Sequence, residues 1–222
     1  MISGLLFDLD GTLVDTAPDF VRVVNHMLKE DGKATLPFDE IRAQVSNGAR
    51  ALVNLAYGID EGHPDYAATR QRLLDLYLAG ICIDSSLFAG LQNSLELCAR
   101  HGLPWGIVTN KPRLYAAPLM DALNLRPALA SLVCPDDVAN RKPHPEPMYK
   151  ACEEMGADAA QCIYVGDHIR DIEAGRAAGM RTVAAAWGYI AAGDDIQRWG
   201  ADFIAATPAE LYTWLAAQLP PA

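Results

Sequence analysis

The 222-residue sequence has little cysteine: five residues, Cys82, Cys98, Cys134, Cys152 and Cys162, with no C-x-x-C pair among them. An odd number at such spacing supports neither a disulfide framework nor a zinc site, so most are expected to be small core residues. Basic residues are also scarce. Lys and Arg total 18 against 28 Asp and Glu, a formal charge of −10, which argues against nucleic acid or an anionic membrane as a partner unless a local patch reverses the field. An anionic ligand would therefore need local cations or a metal ion. No apolar run approaches a membrane span in length, and no basic segment precedes the first apolar residues, which meet Asp8 almost at once. These absences argue for a soluble, cytoplasmic chain without a secretory signal. No internal repeat or low-complexity tract is present, the terminal Pro220-Pro221-Ala222 is expected to fray, and the sequence assigns no oligomeric state.

What is present is an alternation of short apolar runs and helical patterns. Residues 2–7, Leu103–Val108, Ser131–Cys134, Cys162–Val165 and Arg181–Ala186 read as buried strands. Between them, Ser94–His101, Arg113–Leu125, Pro145–Met155 and Asp171–Ala178 carry helical spacing, several stopped by glycine. Short links between such elements imply right-handed βαβ units, hence an α/β fold with a Rossmann-like parallel sheet and helices on both faces. A chain of this length can bury roughly 70–75% of its unfolded surface, so it needs no covalent staple.

The interval 16–86 differs in kind. It carries helical patterns at Phe20–Leu28, Ile41–Leu55 and Tyr66–Leu78 and no comparable strand, and Thr16-Ala-Pro-Asp19 reads as an N-cap with proline near the helix start. About seventy residues are too many for a simple crossover, so the organisation expected is a core of residues 1–15 and 87–222 with an inserted helical cap at 16–86.

Four strand-end or loop motifs carry chemistry. Phe7-Asp8-Leu9-Asp10-Gly11-Thr12 throws two carboxylates off an apolar strand into a glycine turn, where a parallel sheet keeps its ligand crevice. Aspartates two apart on a strand point to opposite faces, so a shared target needs the turn at Gly11 or a backbone carbonyl as ligand. A hard cation such as magnesium uses both kinds of oxygen. A calcium loop fails because its sixth-position glycine would fall on Leu13. Val108-Thr109-Asn110-Lys111-Pro112 offers a hydroxyl and backbone N–H groups for a phosphate oxygen, though such a threonine also serves as a turn residue. In Arg141-Lys142-Pro143, Lys142 is either a solvated surface group or a local cation. Tyr164-Val165-Gly166-Asp167 ends a strand in Gly-Asp, and Asp171 four residues on is placed to cap the next helix.

Taken in order, Asp8-x-Asp10-Gly-Thr, Thr109, Lys142-Pro and Gly-Asp167-x-x-x-Asp171 resemble the four signatures of the haloacid dehalogenase superfamily, across almost the whole chain, and most closely its phosphoglycolate phosphatase branch. The resemblance implies a magnesium-dependent phosphomonoesterase. On that basis Asp8 is the nucleophile that becomes an aspartyl-phosphate, and Asp10 protonates the leaving alcohol and later deprotonates the attacking water. Magnesium is held by an Asp8 oxygen, the Asp10 carbonyl and Asp167, with Asp171 orienting the surrounding shell, while Thr109, Asn110 and Lys142 bind the phosphoryl group. The implied substrate is a small carboxylated phosphate ester, with N-acetylmuramic acid 6-phosphate and 2-phosphoglycolate the leading candidates.

Other residues keep two readings. Ser46-Asn47-Gly48-Ala49-Arg50 interrupts a helical region, and Arg50 is either a reader of the substrate carboxylate or a solvated helix residue. His168 is either an exposed helix-start residue or a group near the metal. Asp15 and Asp19 are accounted for by the helix dipole. The rival functions are a haloacid dehalogenase, which needs neither magnesium nor Asp10; a phosphosugar mutase; a receiver-type signalling domain, which leaves the insertion unexplained; and a non-catalytic phosphate-binding protein.

Overall fold

Strand β1 (Gly4–Phe7) lies inside the sheet, and every residue of it is buried because both of its faces are covered. The computed structural model describes residues 2–191 and 193–220, so the expectation for Pro221 and Ala222 lies outside the described residues. In chain order the strands are β1, β2 (Val14–Asp15), β3 (Ser86–Leu87), β4 (Trp105–Val108), β5 (Ser131–Val133), β6 (Cys162–Gly166), β7 (Arg181–Ala185) and β8 (Phe203–Ala205). The helices are α1 (Ala17–Glu30), α2 (Phe38–Arg42), α3 (Gly48–Tyr57), α4 (Tyr66–Ala79), α5 (Leu91–Arg100), α6 (Arg113–Leu123), α7 (Glu146–Met155), α8 (Ile169–Ala177) and α9 (Pro208–Gln218). No helix among the described residues is long and apolar enough to cross a membrane.

Six strands form one parallel sheet in the order β5-β4-β1-β6-β7-β8. The expected α/β fold is therefore the observed one. Alternating side chains feed two cores: Leu5, Phe7, Ile107, Ile163 and Val165 meet α5, α6 and α9 on one face, and Leu6, Val108 and Tyr164 meet α7 and α8 on the other. Chain order reverses about β1, because β4 lies on one side of it and β6 on the other. The ends of β4, β1 and β6 thus open onto the crevice where open α/β sheets bind ligands.

Several boundaries move. Ile2 and Ser3 precede β1, Leu103 and Pro104 precede β4, and α5 begins at Leu91, three residues before the expected start. The edge strand β8 and the two-residue strands β2 and β3 carry too few apolar residues to announce themselves. Ile41–Leu55 is not one helix: α2 ends at Arg42, a 3-10 turn covers Val45–Asn47, and Gly48 enters α3 at φ +77°. Four cysteines are buried and Cys82 is half-buried.

The helices α1–α4 build a separate apolar cluster from Phe20, Val24, Met27, Leu28, Ile41, Leu52, Leu73 and Tyr77, which Tyr115 and Tyr189 join from the rest of the chain. The chain enters and leaves this region through one antiparallel ladder, Val14 with Leu87 and Asp15 with Ser86. Here three expectations are corrected. Thr16 is the N-cap of α1 but makes no capping bond; its hydroxyl donates to Asp10 Oδ1 at 2.6 Å, and Tyr189 Oη accepts the Ala17 N–H instead at 2.8 Å. Asp15 is not a helix-dipole residue, since it lies in β2 and accepts from Tyr189 Oη at 2.7 Å. Asp19 is fully buried and accepts from the Asp84 N–H and Ser85 N–H at 3.1 Å each, from Ser85 Oγ and from Arg22. Arg22 extends the tie to Asp84 and the Gly80 carbonyl.

Burial alone would raise the Asp19 carboxyl, but the bonds from Ser85, Arg22 and Asp84 outweigh it and hold the group below its ordinary 3.8. Because the folded value is the lower one, its stabilisation is complete above the unfolded value of about 3.9 and is lost as pH falls through the folded value. We expect Asp19→Ala to cost about 2–3 kcal/mol at neutral pH by leaving two backbone donors and Arg22 without their acceptor. Urea unfolding of wild type and variant from pH 7 to pH 3 checks this: the gap should be constant down to about pH 5 and close on the acid side.

Candidate active site

The turn after β1 makes the first acidic pair usable. Gly11 adopts φ +83°, its N–H donates to the Val14 carbonyl at 3.0 Å, and Val14 N–H returns to the Leu9 carbonyl at 2.9 Å. The turn separates the two carboxylates. Asp8 Oδ1 faces Lys142 Nζ at 2.8 Å, whereas Asp10 Oδ1 faces Lys111 Nζ at 2.8 Å. Asp8 N–H donates to the Val165 carbonyl of β6 at 2.8 Å, so the neighbouring strands set the approach of Asp8 to Asp167.

Lys142 is buried with four oxygens within reach of its three N–H groups: Asp171 Oδ1 at 2.7 Å, Asp8 Oδ1 and Tyr164 Oη at 2.8 Å, and the Val108 carbonyl, to which Tyr164 Oη also donates, at 2.9 Å. The local-cation reading of Lys142 is therefore the structural one. Burial would lower its pKa, but the charges of Asp171 and Asp8 raise it, so the ammonium stays charged. Asp171 acts twice, since its Oδ2 also accepts the His168 N–H at 3.0 Å at the start of α8. His168 is half-buried rather than exposed, and its Nδ1 caps α8 by accepting the Arg170 N–H at 3.2 Å.

Asp167 is held from three sides. Thr12 Oγ1 donates to Oδ1 at 3.0 Å, Tyr189 N–H to Oδ2 at 2.8 Å, and Ser46 Oγ, beside α3, to Oδ2 at 3.4 Å. Two glycines make room for it: a Cβ on Gly11 would lie 2.2 Å from Asp167 Oδ2, and one on Gly188 2.1 Å from Asp167 Cβ. Asp8, Asp167 and Asp171 bring carboxylate oxygens within 4.8 Å of one another. Burial, the Asp171 and Asp10 charges and the opposing pull of Lys142 leave Asp8 raised to about 6. Burial with the Asp8 and Asp171 charges pushes Asp167 up to about 8. A cluster of hard oxygen donors with more negative charge than Lys142 can offset fits a magnesium ion.

The other expected residues divide. Thr109 N–H is committed to the Val133 carbonyl at 3.0 Å and its Oγ1 accepts the Lys111 N–H at 3.0 Å, so what Thr109 offers the crevice is its hydroxyl proton. Asn110 Nδ2 donates to the Lys142 carbonyl at 3.1 Å, and its Oδ1 is buried without a partner. One N–H of this amide therefore ties two loops together, and Asn110 lines the cleft beside Thr109 and Lys142. Arg50 is exposed on α3 and lines the same cleft as Asp8, Asp10, Thr109 and Lys142. The cleft measures about 1390 Å³, and Arg70, Arg141 and Arg170 also line it.

Lys111, Thr12 and Tyr189 are the residues sequence reasoning missed. The signal for Lys111 was its adjacency to Thr109 and Asn110; Tyr189, in the turn after β7, carried none. Arg42 of α2 reaches the same turn, donating to the Trp187 carbonyl at 2.9 Å with its guanidinium 4.8 Å from the Tyr189 ring centre.

Asp8, Asp10, the buried Lys142 and the acidic cluster thus converge at the ends of β1, β4 and β6. The chain belongs to the haloacid dehalogenase-like hydrolase family, whose model matches residues 5–185. It is 43% identical over 210 residues to the N-acetylmuramic acid 6-phosphate phosphatase of Pseudomonas putida, covering 95% of this chain and 94% of that one. It is 42% identical over 213 residues to a phosphoglycolate phosphatase of Xanthomonas campestris pv. campestris, covering 94% of each. The fold matches the crystal structure of a predicted phosphoglycolate phosphatase from Haemophilus somnus with a TM-score of 0.83 at 24% identity, over 96% of this chain and 98% of that one.

Asp171 is expected to matter for stability as well as chemistry. Asp171→Ala removes one acceptor from Lys142, which keeps Asp8, and frees the His168 N–H while relieving repulsion on Asp8 and Asp167, so it should cost about 1–3 kcal/mol in chemical unfolding. Asp171→Asn keeps an acceptor at only one of the two contacts and sets an NH2 against the other donor, so it should recover little of that loss.

Proposed function

We propose that this phosphatase hydrolyses a small carboxylated phosphate ester through a phosphorylated Asp8, with N-acetylmuramic acid 6-phosphate and 2-phosphoglycolate the candidate substrates. The observation that carries the reading is the crevice in which Asp8, Asp10, Thr109 and Lys142 share one cleft. An Asp8 oxygen attacks phosphorus as the bond to the ester oxygen breaks, and Asp10 gives its proton to the leaving alcohol. Asp10 then takes a proton from water as that water attacks the aspartyl-phosphate, which releases inorganic phosphate and restores Asp8. Lys142 and the Thr109 hydroxyl hold the transferring oxygens. Asp8, the Asp10 carbonyl and Asp167 would hold a magnesium ion, which would supply the positive charge needed for an anion to approach an anion. Asp171 supports the arrangement by holding Lys142.

The cleft, about 1390 Å³ and open to solvent, has room for either candidate acid. The relatives' names point both ways, since one is named for each substrate at nearly equal identity. In this reading residues 16–86 are a cap hinged at the β2–β3 ladder, and Arg50 on it takes the substrate carboxylate. An arginine on an acidic chain, in a cleft also lined by Arg70 and Arg141, suits a substrate with two anionic groups.

Asp8→Asn should keep the fold and lose turnover, because the amide is nearly isosteric and a poor nucleophile. Phosphate release in a folded preparation of this variant at more than a trace of the wild-type rate refutes the covalent route. Exhaustive chelation should abolish activity and magnesium restore it, with calcium a poor substitute for want of the same compact geometry.

Arg50→Ala should lower kcat/KM for N-acetylmuramic acid 6-phosphate about 10–150-fold and leave a neutral sugar phosphate nearly unchanged, the value of one bidentate charge-assisted contact. Arg50→Lys should restore part of the loss. Equal losses on both substrates would move the selector elsewhere.

A further inference from the structure

Lys111 sits where the helical region meets the acid–base carboxylate, and its environment differs from that of a solvated turn lysine. Its side chain is 7% exposed, and its Nζ lies 2.8 Å from Asp10 Oδ1. On the other side, Nζ lies 4.6 Å from the ring centre of Tyr77 of α4 and 5.1 Å from that of Phe20 of α1. Those two rings are stacked on each other at 4.2 Å and 4°. The ammonium therefore has an anion on one side and two aromatic faces on the other, an arrangement in which the ring quadrupoles add to the ion pair. Its backbone N–H is fixed as well, on Thr109 Oγ1.

The bonds to Asp10 are one-sided. Lys111 Nζ and Thr16 Oγ1 both donate to Oδ1, and among the described residues no donor is bonded to Oδ2. Two bonds on one oxygen fix the rotation of the carboxyl group and leave the other oxygen for proton transfer. Both donors are tied to the helices, Thr16 as the N-cap residue of α1 and Lys111 through the rings of α1 and α4, and Lys111 is the one that carries a charge.

We propose that Lys111 is a positioning residue: it holds Asp10 by Oδ1 so that Oδ2 serves the leaving group, and the Phe20–Tyr77 pair holds Lys111, so that packing of α1 and α4 is transmitted to the proton donor. This rests on the reading of Asp10 as general acid. Lys111 touches neither substrate nor the transferring phosphoryl group in this role.

The test is leaving-group dependence, which a merely structural defect does not move. kcat/KM reports the phosphorylation of Asp8 through departure of the alcohol, and 2,4-dinitrophenyl phosphate needs little proton donation whereas phenyl phosphate needs much. General acid–base catalysis contributes about 10²–10⁴-fold, so a misplaced acid should cost phenyl phosphate about 10-fold more than 2,4-dinitrophenyl phosphate in Lys111→Met. Lys111→Arg should fall between that variant and wild type, because the guanidinium still reaches a carboxylate. Tyr77→Leu should show the same selective loss to a smaller extent, and it carries the test if Lys111→Met does not fold. Asp10→Asn, measured alongside, tests the underlying reading. A selective loss in Asp10→Asn together with a uniform loss in Lys111→Met and Tyr77→Leu overturns the positioning role alone. A uniform loss in Asp10→Asn overturns the acid assignment and the proposal with it.

Discussion

The rest of the site depends on one buried ammonium. Lys142 Nζ touches the end of β1 through Asp8, the end of β4 through the Val108 carbonyl, β6 through Tyr164 and α8 through Asp171, so four elements meet at one nitrogen. An ion pair at 2.8 Å is worth about 6 kcal/mol at an effective dielectric of about 20, which several kcal/mol of desolvation for each ion largely cancels. Net stability is therefore a weak reason for the arrangement. Its stronger consequence is geometric, because a charge among four fixed oxygens cannot wander, and Asp8 supplies one of the four.

Charge balance follows from the same nitrogen. Asp8 and Asp171 share Lys142, while Asp167 has hydroxyl and N–H donors but no cation of its own. Burial, with the excess negative charge added to it, raises Asp8 and Asp167, and that excess is the demand a divalent cation would meet. Asp10 escapes this competition because the Gly11 turn sends its carboxylate to a second lysine. Two aspartates two residues apart thus acquire different partners, Lys142 for Asp8 and Lys111 for Asp10, as the proposed division between attack and proton transfer requires.

How much of this was legible in the sequence depended on locality. Asp8, Asp10, Thr109 and Asp167 stood out because each ends a short apolar run, and a polar residue at that point of a parallel sheet has few structural reasons to be there. Lys142 was recognisable only in company, since Arg141-Lys142-Pro143 alone describes a solvated loop. Lys111 was read past for the opposite reason: its aromatic partners, Phe20 and Tyr77, lie far away in sequence and in helices whose apolar spacing already explains them as core. Asp19 shows the same limit, because a first-turn acid satisfies the dipole rule whether it is solvated or, as here, fully buried beneath Ser85. The strands that went unseen, β2, β3 and β8, have two or three residues and no longer apolar run around them, whereas β5, equally short, was legible because Cys134 extends its run.

Tyr189 explains how so slight a ladder can join α1–α4 to the sheet without leaving the site loose. Its N–H fixes Asp167, its hydroxyl donates to Asp15 of β2 and accepts from Ala17 of α1, and its ring lies beneath Arg42 of α2. The entry strand, the first helix, the second helix and the acidic cluster therefore share one side chain. A two-residue ladder supplies little rigidity by itself, since an isolated strand pair is marginal in water. The tyrosine adds a polar tie on the entry side of that ladder, as Asp19 and Arg22 add one on the return side. Motion of α1–α4 about the ladder would thus reach Asp167 through Tyr189 and Ser46, and Asp10 through Lys111 and Thr16. The acidic cluster and Asp10, the proposed proton donor, therefore both take part of their geometry from contacts made with the region of α1–α4.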